Sequence, residues 1–328
     1  FKKGKWPSPC FTCKSNREKG RPALVDFMGE LLPWSDDNFR KDKYDVKYLE
    51  FTPSNACNAS CVTCGSKFSS KWMAMDKEAV EQGLRFREND TRFSKNNYSM
   101  TDEDYDKILQ IVPSVEKLML KGGEPLADKR NLKLLEKIKD EKLECQINLI
   151  TNLSMMSDQV LEILKDIKNL HLSVSIDGIG EQYNWIRSTD FDDVVAKIGK
   201  YYRTTKKKVS ICMTLSIYNF FNIEKAIKYF SEMKSVCHIN ILTATTPHYV
   251  SPAMIPQHML DRFNKKHAES IWCANNPKVT RKESLWSWTS HETLEDKTFF
   301  LKNKDRVFQW VDFLNQKRGF KIESLVPE

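Results

Sequence analysis

Between about residue 45 and residue 245, short apolar runs alternate with longer amphipathic ones. The runs "DVKYLEFT" (45–52), "SVEKLMLKGGEP" (114–125), "CQINLIT" (145–151), "LHLSVSIDG" (170–178), "KVSICMTLS" (208–216) and "HINILTA" (238–244) have the length and apolar content of buried strands. The stretches between them, "NLKLLEKIKD", "SDQVLEILKDI", "FDDVVAKIGKYY" and "NIEKAIKYF", place apolar residues at the spacing of a helix with one buried face. Ser157 opens the second of these as an N-cap. Further helices are expected near "PQHMLDRFNKKHAE" and "DRVFQWVDFLNQKRG". Strands alternating with helices mean βαβ units and a parallel sheet. The fold class read from this rhythm is α/β, a partial (β/α)6 TIM-like barrel. It is expected over residues 45–249, with a cysteine-bearing extension at 1–44 and an α-rich, candidate substrate-facing region at 250–328. The polar and glycine-bearing segments fall at the C-terminal ends of the strands, where parallel α/β folds place their chemistry.

Composition narrows the class without naming a task. Forty per cent apolar and 29% charged residues in 328 fit a globular chain. Fifty-two basic against 44 acidic residues give +8, spread along the sequence. That balance allows an acidic partner but does not single out nucleic acid, which is not expected. The run "RTTKKKVS" at 203–210 reads as a solvated loop before a strand. No apolar run approaches the roughly 18 residues of a membrane-spanning helix, and no secretory signal is visible. The chain opens at Phe1 in sequence that reads as mid-protein, so residues before it are expected.

The nine cysteines are too sparse for a disulfide scaffold, and five of them lie in two clusters, Cys10/Cys13 and Cys57/Cys61/Cys64. Cys145 and Cys212 fall in or beside strand-like runs, where an inert buried thiol is the ordinary state. Cys57, Cys61 and Cys64 have the spacing C-x3-C-x2-C, with no histidine beside them. Structural zinc takes four ligands, usually in two separated pairs, and a cubane iron–sulfur cluster also takes four. Three thiolates on one loop would leave one iron open, and an incomplete site is a reactive one. The six histidines show no ligand spacing.

C-x3-C-x2-C after the first strand of a βα series resembles the radical S-adenosylmethionine (SAM) superfamily. The later motifs resemble that family in order. "KGGEP" (Gly122, Gly123, Glu124) resembles its glycine-rich turn, and "ITNLS" (Thr151, Asn152) the segment after the third strand. "SVSIDG" (Ser175, Asp177), "WIRS" (Arg187) and "LSIYN" (Asn219) follow. The resemblance implies a [4Fe–4S] cluster with one open iron that binds the amino and carboxylate groups of SAM. It implies reductive cleavage of SAM to methionine and a 5′-deoxyadenosyl radical, which takes a hydrogen atom from substrate. It also implies SAM contacts at Gly122, Gly123, Glu124, Thr151, Asn152, Ser175, Asp177, Arg187 and Asn219, with the Arg187 guanidinium gripping the SAM carboxylate. Glu124 would accept from the methionine amino group. An external electron donor such as flavodoxin or ferredoxin, and a reducing, cytoplasmic compartment, belong to the same expectation. One position departs: members often carry a large residue before the third cysteine, and this chain has Thr63.

Cys10 and Cys13 form a C-x2-C pair, which fits a redox dithiol, half a zinc site or half an auxiliary cluster. "WPSPCFTCKSNREKGR" resembles the SPASM/twitch branch of the superfamily, which implies an auxiliary iron–sulfur cluster at Cys10 and Cys13. The C-terminal multi-cysteine pattern of SPASM domains is absent; after Cys237 only Cys273 remains. Cys273 is open to three readings: a hydrogen-atom donor, a cluster ligand, or a thiol packed beside Trp272. "LWSWTSH" at 285–291 suits a substrate groove or a core. Relatives in this branch modify peptides, so the implied substrate is a peptide or protein. The alternative is a small molecule, carbohydrate or nucleoside. A remoter alternative is a non-catalytic iron–sulfur or zinc protein.

Overall fold

The structure is a computed structural model that describes residues 46–84, 96–244, 248–255, 277–280 and 294–322, with residues 14, 15 and 18 near the start. The chain divides into two compact units, Phe1–Tyr48 and Leu49–Glu328. In the first, residues 14, 15 and 18 are helical, Lys14 pairs with Glu18 at 3.6 Å, and Tyr48 opens the first strand. Cys10, Cys13 and Cys273 lie outside the described residues, as do the segments 256–269 and 285–291.

The elements follow the order β1 (Tyr48–Phe51), α1 (Trp72–Glu81), α2 (Asp102–Ile111), β2 (Lys117–Leu120), α3 (Lys129–Asp140), β3 (Gln146–Thr151), α4 (Asp158–Lys165), β4 (Leu170–Ser175), α5 (Gly180–Arg187) and α6 (Phe191–Thr205). They continue with β5 (Val209–Leu215), α7 (Ile223–Glu232), β6 (Val236–Thr243), β7 (Val279–Thr280) and α8 (Leu294–Arg318). The strands lie side by side in chain order, β1 to β7, in one open sheet. Pairings from β2 through β7 are parallel, with Leu120 opposite Leu149, Val174 opposite Thr151 and Cys212 opposite Ser175. All six expected strands are present, five of them shorter than their apolar runs and β6 starting two residues earlier than its run. The seventh, β7, has two residues and was not anticipated.

The two faces of the sheet differ because alternate side chains point opposite ways. Ile147 and Leu149, Leu172 and Val174, and Ile211 and Met213 are fully buried. They share that layer with Leu134, Leu135 and Ile138 of α3 and with Ile198 of α6. The intervening positions are polar: Asn148, Ser173, Cys212 and Asn240. Ser173 Oγ donates to Asn148 Oδ1 at 2.9 Å, and His171 Nε2 meets Ser210 Oγ at 2.8 Å. A parallel sheet usually buries both faces in apolar contacts; a polar second face marks the side left for chemistry. Cys145 is buried as expected. Cys212 is half-buried on the polar face, beside Asn240 and Ser173, and burial pushes its thiol up.

Helix starts are capped by short polar side chains. Ser157 Oγ accepts from the Val160 N–H, as read from the sequence, and Thr101, Asp128 and Asp190 do the same for α2, α3 and α6. The C-terminal helix α8 does not stand apart from the barrel. Its Trp310, Phe313 and Leu314 share one buried cluster with Val62, Trp72 and Trp185. Trp72 and Trp310 stack with ring centres 5.8 Å apart.

Candidate active site

The loop between β1 and α1 carries Cys57, Cys61 and Cys64, all free thiols. Its shape is set by hydrogen bonds that the loop makes to itself. Asn55 Nδ2 donates to the Ser66 carbonyl at 2.9 Å, and Asp76 of α1 accepts from the Ser66 N–H at 2.8 Å. The Cys57 N–H donates to Ser70 Oγ at 3.1 Å. Trp72 Nε1 donates to the Cys61 carbonyl at 2.9 Å. Short polar side chains hold such a turn because they bond to backbone without demanding space.

The three sulfurs are not equivalent. Burial pushes the Cys57 thiol up to about 11. The Cys64 thiol donates to Cys61, and this bond, with the nearby Arg187 guanidinium, brings Cys61 down to about 7 against the effect of burial. Cys61 is therefore the sulfur most ready to ionise, and thiolates are the form that binds metal.

The turn after β2 packs directly on this loop. Gly122 and Gly123 have φ of +84° and +47°. A Cβ on Gly122 would fall 2.0 Å from Thr52 Cγ2, and one on Gly123 would fall 2.4 Å from the Ala56 carbonyl oxygen. The glycines thus let the turn approach the cysteine loop, which the sequence reading had explained only by approach to a ligand. The Glu124 N–H donates to the Ala56 carbonyl at 2.7 Å. The Glu124 carboxylate is buried and turned inward. It accepts from Thr151 Oγ1 at 2.5 Å, the Asn152 N–H at 2.7 Å and the Leu126 N–H at 3.1 Å. Burial pushes its carboxyl up, and these donors oppose that. Asn152 then reaches the loop: its Nδ2 donates to Asn58 Oδ1 at 3.0 Å, and Asn58 Nδ2 donates to Ser154 Oγ at 2.7 Å.

The end of β4 supplies charge. Asp177 is fully buried, accepts from the Thr214 N–H at 2.6 Å, and pairs with Arg187 Nη1 at 2.9 Å. Burial opposes the Arg187 charge, but Cys61 and Asp177 outweigh it and hold the guanidinium protonated. Arg187 Nε is buried with no hydrogen-bond partner. The helix that ends at Arg187 is bound to the cysteine loop: the Val62 N–H donates to the Ile186 carbonyl at 2.9 Å, and the Ser60 N–H to Ser188 Oγ at 2.6 Å. Ser175, half-buried, ends β4 beside this group.

Asn219 is buried and saturated. Its Nδ2 donates to the Asp177 and Thr214 carbonyls at 2.9 and 2.8 Å, and its Oδ1 accepts from the Ser216 N–H and Oγ at 2.7 and 3.2 Å. All four hydrogen-bonding sites of the amide are used, so the side chain positions the strand ends and only its backbone is left for a ligand. The sequence reading missed Asn58, Ser60, Asp76 and Ser188. They are small polar residues whose partners lie elsewhere in the chain, and only the first two are flagged at all, by sitting between cysteines.

The donor set fits a cluster held by three thiolates, with positive charge and an unpartnered guanidinium nitrogen beside it. Among the described residues, no three His, Cys, Asp or Glu side chains gather as they would around a single metal ion. Residues 51–242 match the model of the radical SAM superfamily. The chain belongs to that superfamily. A Methanocaldococcus jannaschii protein named "Probable GTP 3',8-cyclase" is 26% identical over 201 residues, 60% of this chain and 57% of that protein. The fold is similar to that of native anSMEcpe with bound AdoMet, with a TM-score of 0.50 at 18% identity over 71% of this chain and 64% of that one. It is also similar to Streptococcus suis SuiB bound to S-adenosylmethionine, with a TM-score of 0.51 at 15% identity over 83% of this chain and 61% of that one. The chain spans less than two thirds of the length of each of the three.

Proposed function

We propose that this chain is a SAM-cleaving radical enzyme of the SPASM/twitch-like kind, in which Cys57, Cys61 and Cys64 hold a [4Fe–4S] cluster with one open iron. The observation that carries the reading is Arg187. It is a buried guanidinium beside the Cys61 sulfur, half-satisfied by Asp177, with Nε unpartnered. When bound, the cluster and SAM supply one-electron cleavage of SAM and a 5′-deoxyadenosyl radical that removes a hydrogen atom from substrate.

The chain's own residues bind and orient. Arg187 takes the SAM carboxylate with the donors Asp177 leaves free. Gly122, Gly123 and Glu124 brace the cysteine loop through the turn after β2, and Ser175 lines the rim at the end of β4 beside Arg187. Thr151, Asn152, Asp177 and Asn219 hold these groups in place through the bonds described above. Cys10 and Cys13 hold an auxiliary iron–sulfur cluster, Cys273 serves as hydrogen-atom donor or cluster ligand, and a flavodoxin or ferredoxin supplies the electron in a reducing, cytoplasmic compartment. No described helix is long and apolar enough to cross a membrane. The substrate is a peptide, supported by the basic balance of the chain. A nucleotide substrate is the second reading, favoured by the likeness to a protein named as a GTP cyclase.

Anaerobic reconstitution followed by SAM and dithionite tests the reading. The wild type should hold iron and release 5′-deoxyadenosine. A Cys57→Ala/Cys61→Ala/Cys64→Ala variant should release none. Iron retained by that variant would point to the Cys10/Cys13 site. An iron-loaded wild type that leaves SAM intact, with candidate peptides and with GTP, would sink the proposal.

A further inference from the structure

We infer that Arg318, the last residue of α8, is a positioning residue of the cysteine loop: its guanidinium clamps Ser60 to α5 and sets a fixed positive charge at the Ser60–Cys61 peptide. The inference rests on the three-thiolate reading of that loop.

The geometry is a three-point grip. Arg318 Nη1 donates to Ser60 Oγ at 2.9 Å, Nη2 donates to the Ser60 carbonyl, and Nε donates to the Trp185 carbonyl at 2.9 Å. Ser60 is the residue before Cys61, and Trp185 lies two residues before Arg187. One planar fork thus ties the middle cysteine to the helix that carries Arg187, a bond between residues 258 apart in sequence. A lysine cannot copy this, because an ammonium is a single point with no fixed fork.

The neighbouring contacts keep the fork aimed. Asn315, one turn earlier on α8, accepts from Trp185 Nε1 at 2.9 Å and from the Ile322 N–H at 3.1 Å. Gly319 follows Arg318 at φ +81° and ends the helix there. On the other side of the loop, Trp72 holds the Cys61 carbonyl and stacks on Trp310 of α8. Cys61 is thus fastened from both sides to one helix.

The electrostatics separate Arg318 from Arg187. Arg187 has the Asp177 carboxylate as its counter-ion. Among the described residues no carboxylate pairs with Arg318, whose fork ends instead on Ser60, the residue before Cys61. A half-buried cation without a carboxylate loses part of its hydration, and that loss is costly unless something else supplies negative charge. Three thiolates and the iron cluster they hold would do so. Adding one electron makes that group more negative, so a fixed cation nearby favours the reduced level and raises the midpoint potential.

The test uses reconstituted wild type, Arg318→Gln and Arg318→Lys without SAM. Dithionite supplies the single electron, and electron paramagnetic resonance reads the reduced cluster. Arg318→Gln should move the midpoint negative by at least the ~59 mV of a tenfold change in a one-electron equilibrium. Arg318→Lys should stay near the wild-type midpoint. Both variants should lose iron to a chelator several-fold faster than wild type. An unchanged midpoint in a folded Arg318→Gln overturns the inference. If circular dichroism shows that Arg318→Gln does not fold, Arg318→Lys decides: iron loss at the wild-type rate overturns the inference. A wild type that takes up no cluster removes the reading underneath as well; a loaded wild type with silent variants removes only this step.

Discussion

Glu124 and Asp177 are both buried carboxylates at strand ends, yet they are satisfied in different ways. Glu124, after β2, accepts from one hydroxyl and two backbone N–H groups, all neutral. Asp177, after β4, accepts from one backbone N–H and from Arg187. The first arrangement closes on itself: Thr151, Asn152, Asn58 and the glycine turn form a network that ends inside the protein. The second leaves Arg187 with unused donors, including a buried Nε. Buried polar groups are normally paired, so an unpaired cationic nitrogen beside the cysteine loop calls for an explanation, and the proposed SAM carboxylate supplies one. The comparison teaches that the β2–β3 rim spends its donors on the cysteine loop, while the β4–α5 rim keeps buried donors unspent, as the proposed SAM-carboxylate contact requires.

The largest break in that contrast comes from Arg187→Gln. Asp177 would lose its counter-ion in a buried place, at about 3–5 kcal/mol of stability in urea unfolding. SAM affinity, measured by equilibrium binding to the loaded protein, should fall roughly 10–100-fold, the equivalent of one or two charge-assisted hydrogen bonds. The double variant Arg187→Gln/Asp177→Asn sharpens the point. It should regain much of the stability and none of the affinity; regained affinity would mean that Arg187 is scaffold too.

Gly123→Ala attacks the other rim. The added Cβ would meet the Ala56 carbonyl at 2.4 Å with φ at +47°. Left-handed strain and overpacking together should cost about 2–4 kcal/mol. Gly83→Ala is the control: φ is +68° but nothing lies within 4 Å, so only the strain, about 1–2 kcal/mol, should appear. Equal losses at the two sites would show that the turn does not press on the cysteine loop.

Much of this was readable beforehand because it is local. The six strands follow from apolar runs, Ser157 from its place before a helical pattern, and the three cysteines and two glycines from spacing. Helices α1, α2 and α5 were not anticipated. The sequence of α2, "DEDYDKILQI", does place Tyr105, Ile108 and Leu109 at helical spacing behind the Thr101 cap, so this helix was legible and went unread, although only Tyr105 is fully buried. The sequence of α5, "GEQYNWIR", is short and begins with a glycine at φ +55°. The bonds from Asn58 to Asn152, and from Arg318 to Ser60, join residues 94 and 258 apart. No periodicity reports a pairing at that range, and a polar residue with a distant partner looks the same in sequence as one in water. Asn219 shows the converse: its position was legible, but the saturation of its amide was not.

Glu124→Gln tests whether the closed rim is only scaffold. Replacing one carboxylate oxygen by an NH2 sets a donor against a donor, at roughly 1–3 kcal/mol of stability. SAM affinity of the folded, loaded protein should change by less than about threefold. A loss of affinity larger than the loss of stability would assign Glu124 a direct contact with the SAM amino group, and both rims would then face the ligand.

The smallest effect lies where the scaffold rim meets the start of the cysteine loop. Asp128 caps α3 and also accepts from Ser54 Oγ at 2.9 Å and from Arg130 Nη2 at 2.8 Å. Burial would push the Asp128 carboxyl up, but the Arg130 and Ser54 bonds outweigh it and hold the carboxyl below its ordinary value of 3.8. A carboxyl lowered in the folded state stabilises above its unfolded value, and that stabilisation is lost as pH falls through the folded one. Wild type should therefore exceed Asp128→Asn by on the order of 1 kcal/mol near neutral pH. Thermal melts should show the gap closing as the pH drops below 3.8. Arg130→Met should shrink the pH dependence of the gap while leaving the helix cap and the Ser54 bond, which still favour the carboxylate. A gap that survives in strong acid would place the stabilisation in the cap, and would detach this corner of the rim from the charge-based account.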